Sequence, residues 1–191
     1  MNHTLVAKKQ SVSILLAALL AVPAVGLLVP AAFADPITPE VHAKVDKYKK
    51  TIVTWAADPT IVQAVKEANA KGPIAGMNNA KWDELDEKDP VVQAMLNSPA
   101  GKLGRKWEED KNINKVTVWD EKGNVIAGSV KTLIYNAGSR PAFTGAMKGQ
   151  AWSAPEAKPD PATQKKSVNI SAPVLDGGKT IGVINAAVNA D

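Results

Sequence analysis

The 191-residue chain has no cysteine, a formal charge of +4 and an apolar fraction of 45%. The missing cysteine excludes disulfides, thiolate catalysis and cysteine-bound metals. Lys8 and Lys9 account for two of the net +4, leaving +2 beyond them, and acids intersperse the other basic residues. No basic stripe alternates with aromatics, which argues against a nucleic-acid partner despite the pI of about 9.2.

Residues 1–34 read as a secretory signal peptide. Lys8 and Lys9 precede an apolar stretch over residues 14–32, which ends in the small-x-small pattern Ala32-Phe33-Ala34. Cleavage after Ala34 would leave a mature domain of about 157 residues, enough for one hydrophobic core. The rival reading is an uncleaved anchor, since about 20 apolar residues cross a bilayer. Pro23 and Pro30 interrupt that stretch. Both readings place the domain at residues 35–191 outside the cytoplasm, periplasmic or secreted.

Thr38 followed by Pro39 opens a predicted helix over residues 39–57. Its apolar face is Val41, Val45, Tyr48, Ile52 and Trp55, spaced by three and four. Asp58-Pro59 starts a second helix that stops near Gly72-Pro73, and Asp89-Pro90 starts a third. The stretch between them, residues 71–89, shows no regular period. A short helix is predicted over residues 100–110, with Leu103 and Trp107 inward.

The period then changes from helical to two. Residues 113–119 alternate, Asp120-Glu121-Lys122-Gly123 forms a turn, and 124–129 return. Residues 130–165 are irregular and rich in Gly and Pro. Residues 167–174 and 180–188 form a second hairpin around Asp176-Gly177-Gly178. Helices first and hairpins after imply α+β, with the long N-terminal helix covering one face of an antiparallel sheet.

These hairpins carry a resemblance. VTVWDEKGNVIAGS resembles the core hairpin of extracytoplasmic Cache domains, the PAS-like, PDC-type sensor modules. NISAPVLDGGKTIGVINAAV is similar to their closing hairpin, and YNAGSRPAFTGAMKGQAW to the loop and helix between. The resemblance implies a PAS-like sheet of about five antiparallel strands, a long N-terminal helix and additional short helices. It implies a small-molecule-binding sensor domain and no enzyme. The chain as given carries no effector domain, so the expected partner is a separate membrane-bound receptor or kinase. The alternative is a ligand-free interaction module, for instance a homodimer.

Carried onto this chain, the family's ligand site falls within residues 107–164. Arg140 could pair with a ligand carboxylate. Trp107, Tyr135 and Trp152 could wall the pocket, and Asp160 could receive a ligand amine. Lys131, Thr132 and Gln164 could complete the polar set. The competing reading for Trp107, Trp119 and Phe143 is simple packing, and for Asp120 and Asp176 turn formation. The amino-acid-sensing signature of the family, Arg followed closely by Trp and Tyr, is not matched.

Little else in the sequence carries chemistry. The histidines are His3, within the signal, and His42, on the outer side of a helix turn. The acidic runs 83–89 and 108–110 read as a solvated loop and a helix end, and the first lacks a calcium-loop pattern. Neither a metal nor a cofactor is expected.

Overall fold

In the computed structural model, residues 37–191 are described. The predicted signal peptide and its cleavage point lie outside the described residues. Six helices and six strands follow in order: α1 (Pro39–Ala56), α2 (Pro59–Lys71), α3 (Asn79–Glu84), α4 (Pro90–Asn97), α5 (Pro99–Glu108), β1 (Ile113–Trp119), β2 (Val125–Gly128), α6 (Pro141–Ala146), β3 (Trp152–Ser153), β4 (Lys158–Pro159), β5 (Lys166–Asp176) and β6 (Lys179–Asn189).

The helix starts follow from local chemistry. The side chains of Thr38, Asp58, Asp89 and Ser98 each accept a backbone N–H of the first turn, and each precedes a proline. That proline has no N–H to leave unpaired, and its φ is already helical. The stretch expected to be irregular holds one more helix, α3, capped by Asn78. Six residues carry too few turns to show an apolar period.

The sheet order is β2-β1-β6-β5-β3, with β4 also on β5, and every pairing is antiparallel. The four hairpin strands are joined by two two-residue strands from the 130–165 segment at one edge, which gives six, in line with the sheet of about five expected. The β5–β6 hairpin forms the centre. In the β1–β2 turn Gly123 has φ +84, and a Cβ there would lie 2.5 Å from the Gly138 nitrogen. Only glycine fits both demands.

Alternation divides the strands between two cores. Val116, Val118, Ile170, Ala172, Ile184 and Ala186 face Val45, Tyr48, Ile52 and Ile61 of α1 and α2. The long N-terminal helix thus covers one face, as its apolar stripe requires. Trp119 and Val183 point the other way, into a second core with Trp82, Val92, Tyr135 and Phe143. Each fully buried Val or Ile contributes about 1.5–3 kcal/mol. Gly182 lets α2 sit close on β6, since a Cβ there would lie 2.7 Å from Val65 Cγ1 and 2.5 Å from the Trp119 carbonyl oxygen.

All seven residues of β1 are buried, polar ones included. Alternation alone would leave one side of a hairpin strand in water. Here α6 and its flanking loops cover that side as well.

One bond gives the helix layer a pH dependence. The Tyr48 hydroxyl on α1 donates to the Asp110 carboxylate after α5. That bond, with the Asn112 N–H, holds the Asp110 carboxyl below its ordinary 3.8. A depressed acid stabilises the fold above its unfolded value and loses that contribution as pH falls through the folded value. Burial, then the same bond, raises the Tyr48 phenol above 10.0, so its contribution holds below pH 10 and is lost as pH rises further. Asp110→Asn is expected to lower the urea midpoint at pH 7. The gap to the parent should narrow as pH falls below the ordinary 3.8. A gap that does not narrow there contradicts this linkage.

Candidate functional site

The main cavity of the described chain is a cleft of about 700 Å³ at the sheet's β2 end, where the two cores meet. This lies within the 300–1,000 Å³ range of small-molecule sites. One wall is α2, with Ala64 and Ala68; the other is α4, with Val91, Ala94 and Met95. Val125, Ile126 and Tyr135 line the base, and Pro73-Ile74 closes one end. Small side chains on both walls leave the space open.

Each wall is fixed from behind. Asn69 of α2 donates to the Ile181 carbonyl (2.7 Å) and accepts the Glu121 N–H (3.0 Å), which ties α2 to β6 and the β1–β2 turn. Val92 and Met95 anchor α4 in the second core. Tyr135 is held by its backbone, since Val125 N donates to its carbonyl (2.8 Å), and by the tilted ring of Trp82 5.8 Å away. The Trp82 indole in turn donates to the Thr132 carbonyl (2.7 Å).

The polar groups of the cleft divide clearly. Asp120 is buried, and three bonds engage its carboxylate: Lys122 N, Asn124 N and Asn124 Nδ2, each at 2.8 Å. The Tyr135 hydroxyl accepts the Ile74 N–H (3.3 Å), and its own hydrogen has no acceptor among the described residues. Burial raises the Tyr135 phenol above 10.0, the Ile74 bond opposing, so at neutral pH it remains a donor.

The sheet face opposite α1 differs. Lys115 of β1 pairs with Asp160, whose side chain is fully buried. Asp160 also accepts the Ala162 (3.0 Å) and Thr163 (3.1 Å) N–H groups, which fold residues 160–164 into a turn. Beside it, Thr163 donates to Asn114, which donates to Asn189. Asn185 bridges the Ile170 carbonyl and the Ser171 hydroxyl. The Oγ1 of Thr117, Nε1 of Trp119 and Oγ of Ser167 are buried with no partner among the described residues.

No family model matches the chain, and no curated protein matches it. Solved structures do. The sensor domain of the V. cholerae histidine kinase DctB aligns with TM-score 0.54 at 19% identity, over 78% of this chain and 50% of that one. The described residues share the α+β, PAS-like fold of that sensor domain. The chain therefore spans half the length of that kinase sensor domain. The sensory domain of the Campylobacter jejuni chemoreceptor Tlp3 with isoleucine bound aligns at TM-score 0.42 and 16% identity, over 80% of this chain and 64% of that one. The ligand-binding domain of the Pseudomonas fluorescens chemoreceptor CtaA with L-serine aligns at 0.40 and 15%, over 78% and 60%.

Within this fold the residues expected to form the site do not meet. Tyr135 alone lines the cleft. Trp107 lies in the helix layer, where its ring stacks on Trp55 of α1 at 4.6 Å and 6°. Lys131 lies over the Trp82 ring at 5.3 Å, and Thr132 Oγ1 donates to the Ile134 carbonyl. Arg140 is exposed at the start of α6, where its backbone carbonyl accepts the Phe143 and Thr144 N–H groups. Trp152 lies flat on Gly145 and borders a separate dent of about 380 Å³. Gln164 is exposed at φ 60, its amide closing the turn onto the Pro161 carbonyl. The amine that Asp160 receives is the chain's own Lys115.

The packing readings fit the structure. Trp119 and Phe143 meet edge-on at 6.1 Å in the second core, and Asp120 organises its turn. His42 is exposed. Among the described residues no group of three His, Asp or Glu converges to hold a metal, and no helix is long and apolar enough to cross a membrane.

The cleft residues of α2 and α4 lie outside the segment that the sequence singled out. One signal for them was present. Ala64 and Ala68 fall one turn apart on a helix whose other positions on that side are polar, and Ala94 answers from α4. Small residues facing each other leave room that larger ones would fill.

Proposed function

We propose that this chain is a small-molecule-binding domain of the sensor type, working in the periplasm and acting through a separate membrane-bound receptor or kinase. The observation that carries this reading is the 700 Å³ cleft with its free tyrosine donor, built into a sensor-domain fold. The walls come from helices fixed independently to the sheet, so a ligand between α2 and α4 would couple them. The export signal and the Cache-like hairpins support the location and the signalling role.

A ligand at a hundredfold its Kd is expected to stabilise the domain by about 2.7 kcal/mol. At about 2–4 °C per kcal/mol for this size, melting rises by about 5–10 °C. Thermal scans of the exported protein against a chemically broad library test this. A flat response across the library overturns it.

A second reading has one observation in its favour. The sheet face where the resemblance implied a ligand is closed by the chain's own Lys115 and Asp160. A ligand-free interaction module would have such a closed face. It predicts a flat library response together with concentration-dependent association in sedimentation.

A further inference from the structure

We propose that the α2–α4 cleft takes an uncharged, largely apolar molecule that carries one hydrogen-bond acceptor for the Tyr135 hydroxyl. This rests on the cleft being the ligand site, and it departs from the carboxylate expected at Arg140.

The walls and base offer carbon almost throughout: Ala64, Ala68, Val91, Met95, Val125 and Ile126. A ligand charge would need a buried partner, because a charge taken from water unpaired is strongly disfavoured. The one buried charge lining the cleft is Asp120, and it is already engaged three times over. It would repel a ligand carboxylate, and its own turn already takes three of its roughly four acceptor positions. Glu67 and Lys71 stand one turn apart at the rim, opposite in sign and exposed. Exposed pairs discriminate weakly. Arg140 lies on another element and does not line the cleft.

Among the buried polar side chains of the cleft, that leaves the Tyr135 hydroxyl. It already accepts from Ile74, so the vacant half of its bonding is the donor half. A carbonyl, ether or hydroxyl oxygen satisfies it. The burial that raises this phenol above its ordinary 10.0 disfavours a ligand anion for the same reason.

The experiment uses the full exported protein and N-phenyl-1-naphthylamine, an uncharged probe that brightens in apolar surroundings. Saturable brightening is expected. Ala68→Trp on one wall and Ala94→Trp on the other should each weaken it about tenfold, about 1.4 kcal/mol. Ala94 is exposed, so its variant should keep the parent melting temperature. Thr144→Trp on α6 should leave binding unchanged. The tyrosine is read by a pair of competitors, 2-acetylnaphthalene and 2-ethylnaphthalene. Tyr135→Phe should weaken the first several-fold and spare the second.

Succinate, putrescine and L-isoleucine should not displace the probe. If one of them binds in a manner that both tryptophan variants abolish, while the naphthalenes do not bind, the ligand class is overturned and the site stands. If neither group binds, the site falls too. Probe binding that ignores both wall variants, or an equal loss for both naphthalenes in Tyr135→Phe, also overturns the proposal.

Discussion

Replacing Lys115 with alanine is expected to destabilise the domain by about 3–5 kcal/mol. A buried ion pair adds little net stability over a well-packed apolar pair, but breaking one from a single side leaves a lone charge out of water. Here the lone charge would be Asp160, whose side chain is fully buried. Its two backbone bonds, to Ala162 and Thr163, remain but do not neutralise it. A domain of ordinary stability has about 5–15 kcal/mol in total, so the loss is a large part of it. Urea unfolding measures it as a lower midpoint at unchanged slope. Lys115→Met with Asp160→Asn removes both charges and keeps an acceptor for the turn. That double variant should recover most of the loss, and the cycle should show strong coupling. A single-variant loss under 1 kcal/mol would mean that water reaches the pair.

Trp82→Ala should cost a similar amount, about 3–5 kcal/mol, the usual range for deleting a buried aromatic ring. Trp82 is 1% exposed and central to the second core. It holds the Thr132 carbonyl, carries Lys131 on its face and leans on Tyr135. At about 2–4 °C per kcal/mol, melting should fall by about 6–20 °C. Trp82→Phe keeps most of the ring and leaves the Thr132 carbonyl unpaired, for about 1–3 kcal/mol. Melting curves followed by circular dichroism give both values. The order is the test: a Phe variant as unstable as the Ala variant would place the whole contribution in the hydrogen bond.

Trp82 also shows where sequence reading stops. The Thr38, Asp58 and Asp89 caps were legible because capping chemistry lies within four residues of itself. The two hairpins were legible because alternation and a glycine turn are equally local. Helix α3, which carries Trp82, was not, since six residues cannot display a helical period. Alternation in β1 did not say what covers its polar side. It is buried because residues more than forty positions away fold over it, and Lys115 meets Asp160 only through that long-range return. The cleft is the extreme case. Its walls belong to separate helices, each of which shows only an ordinary amphipathic pattern. Tyr135 could be singled out because it lies in the loop that the Cache resemblance highlighted. Nothing in the sequence placed Ala64 opposite Ala94.

The Lys115–Asp160 pair bears on which molecules reach the sheet face. Lys115 is a resident competitor. It is tethered to β1 and cannot diffuse away, so Asp160 meets an ammonium at an effective concentration of about millimolar or more. A free amine must outcompete that tether before it gains anything from the carboxylate. The sheet face is thus selective against amines at trace levels by mass action alone, and a molecule that the domain senses at low concentration has to enter elsewhere.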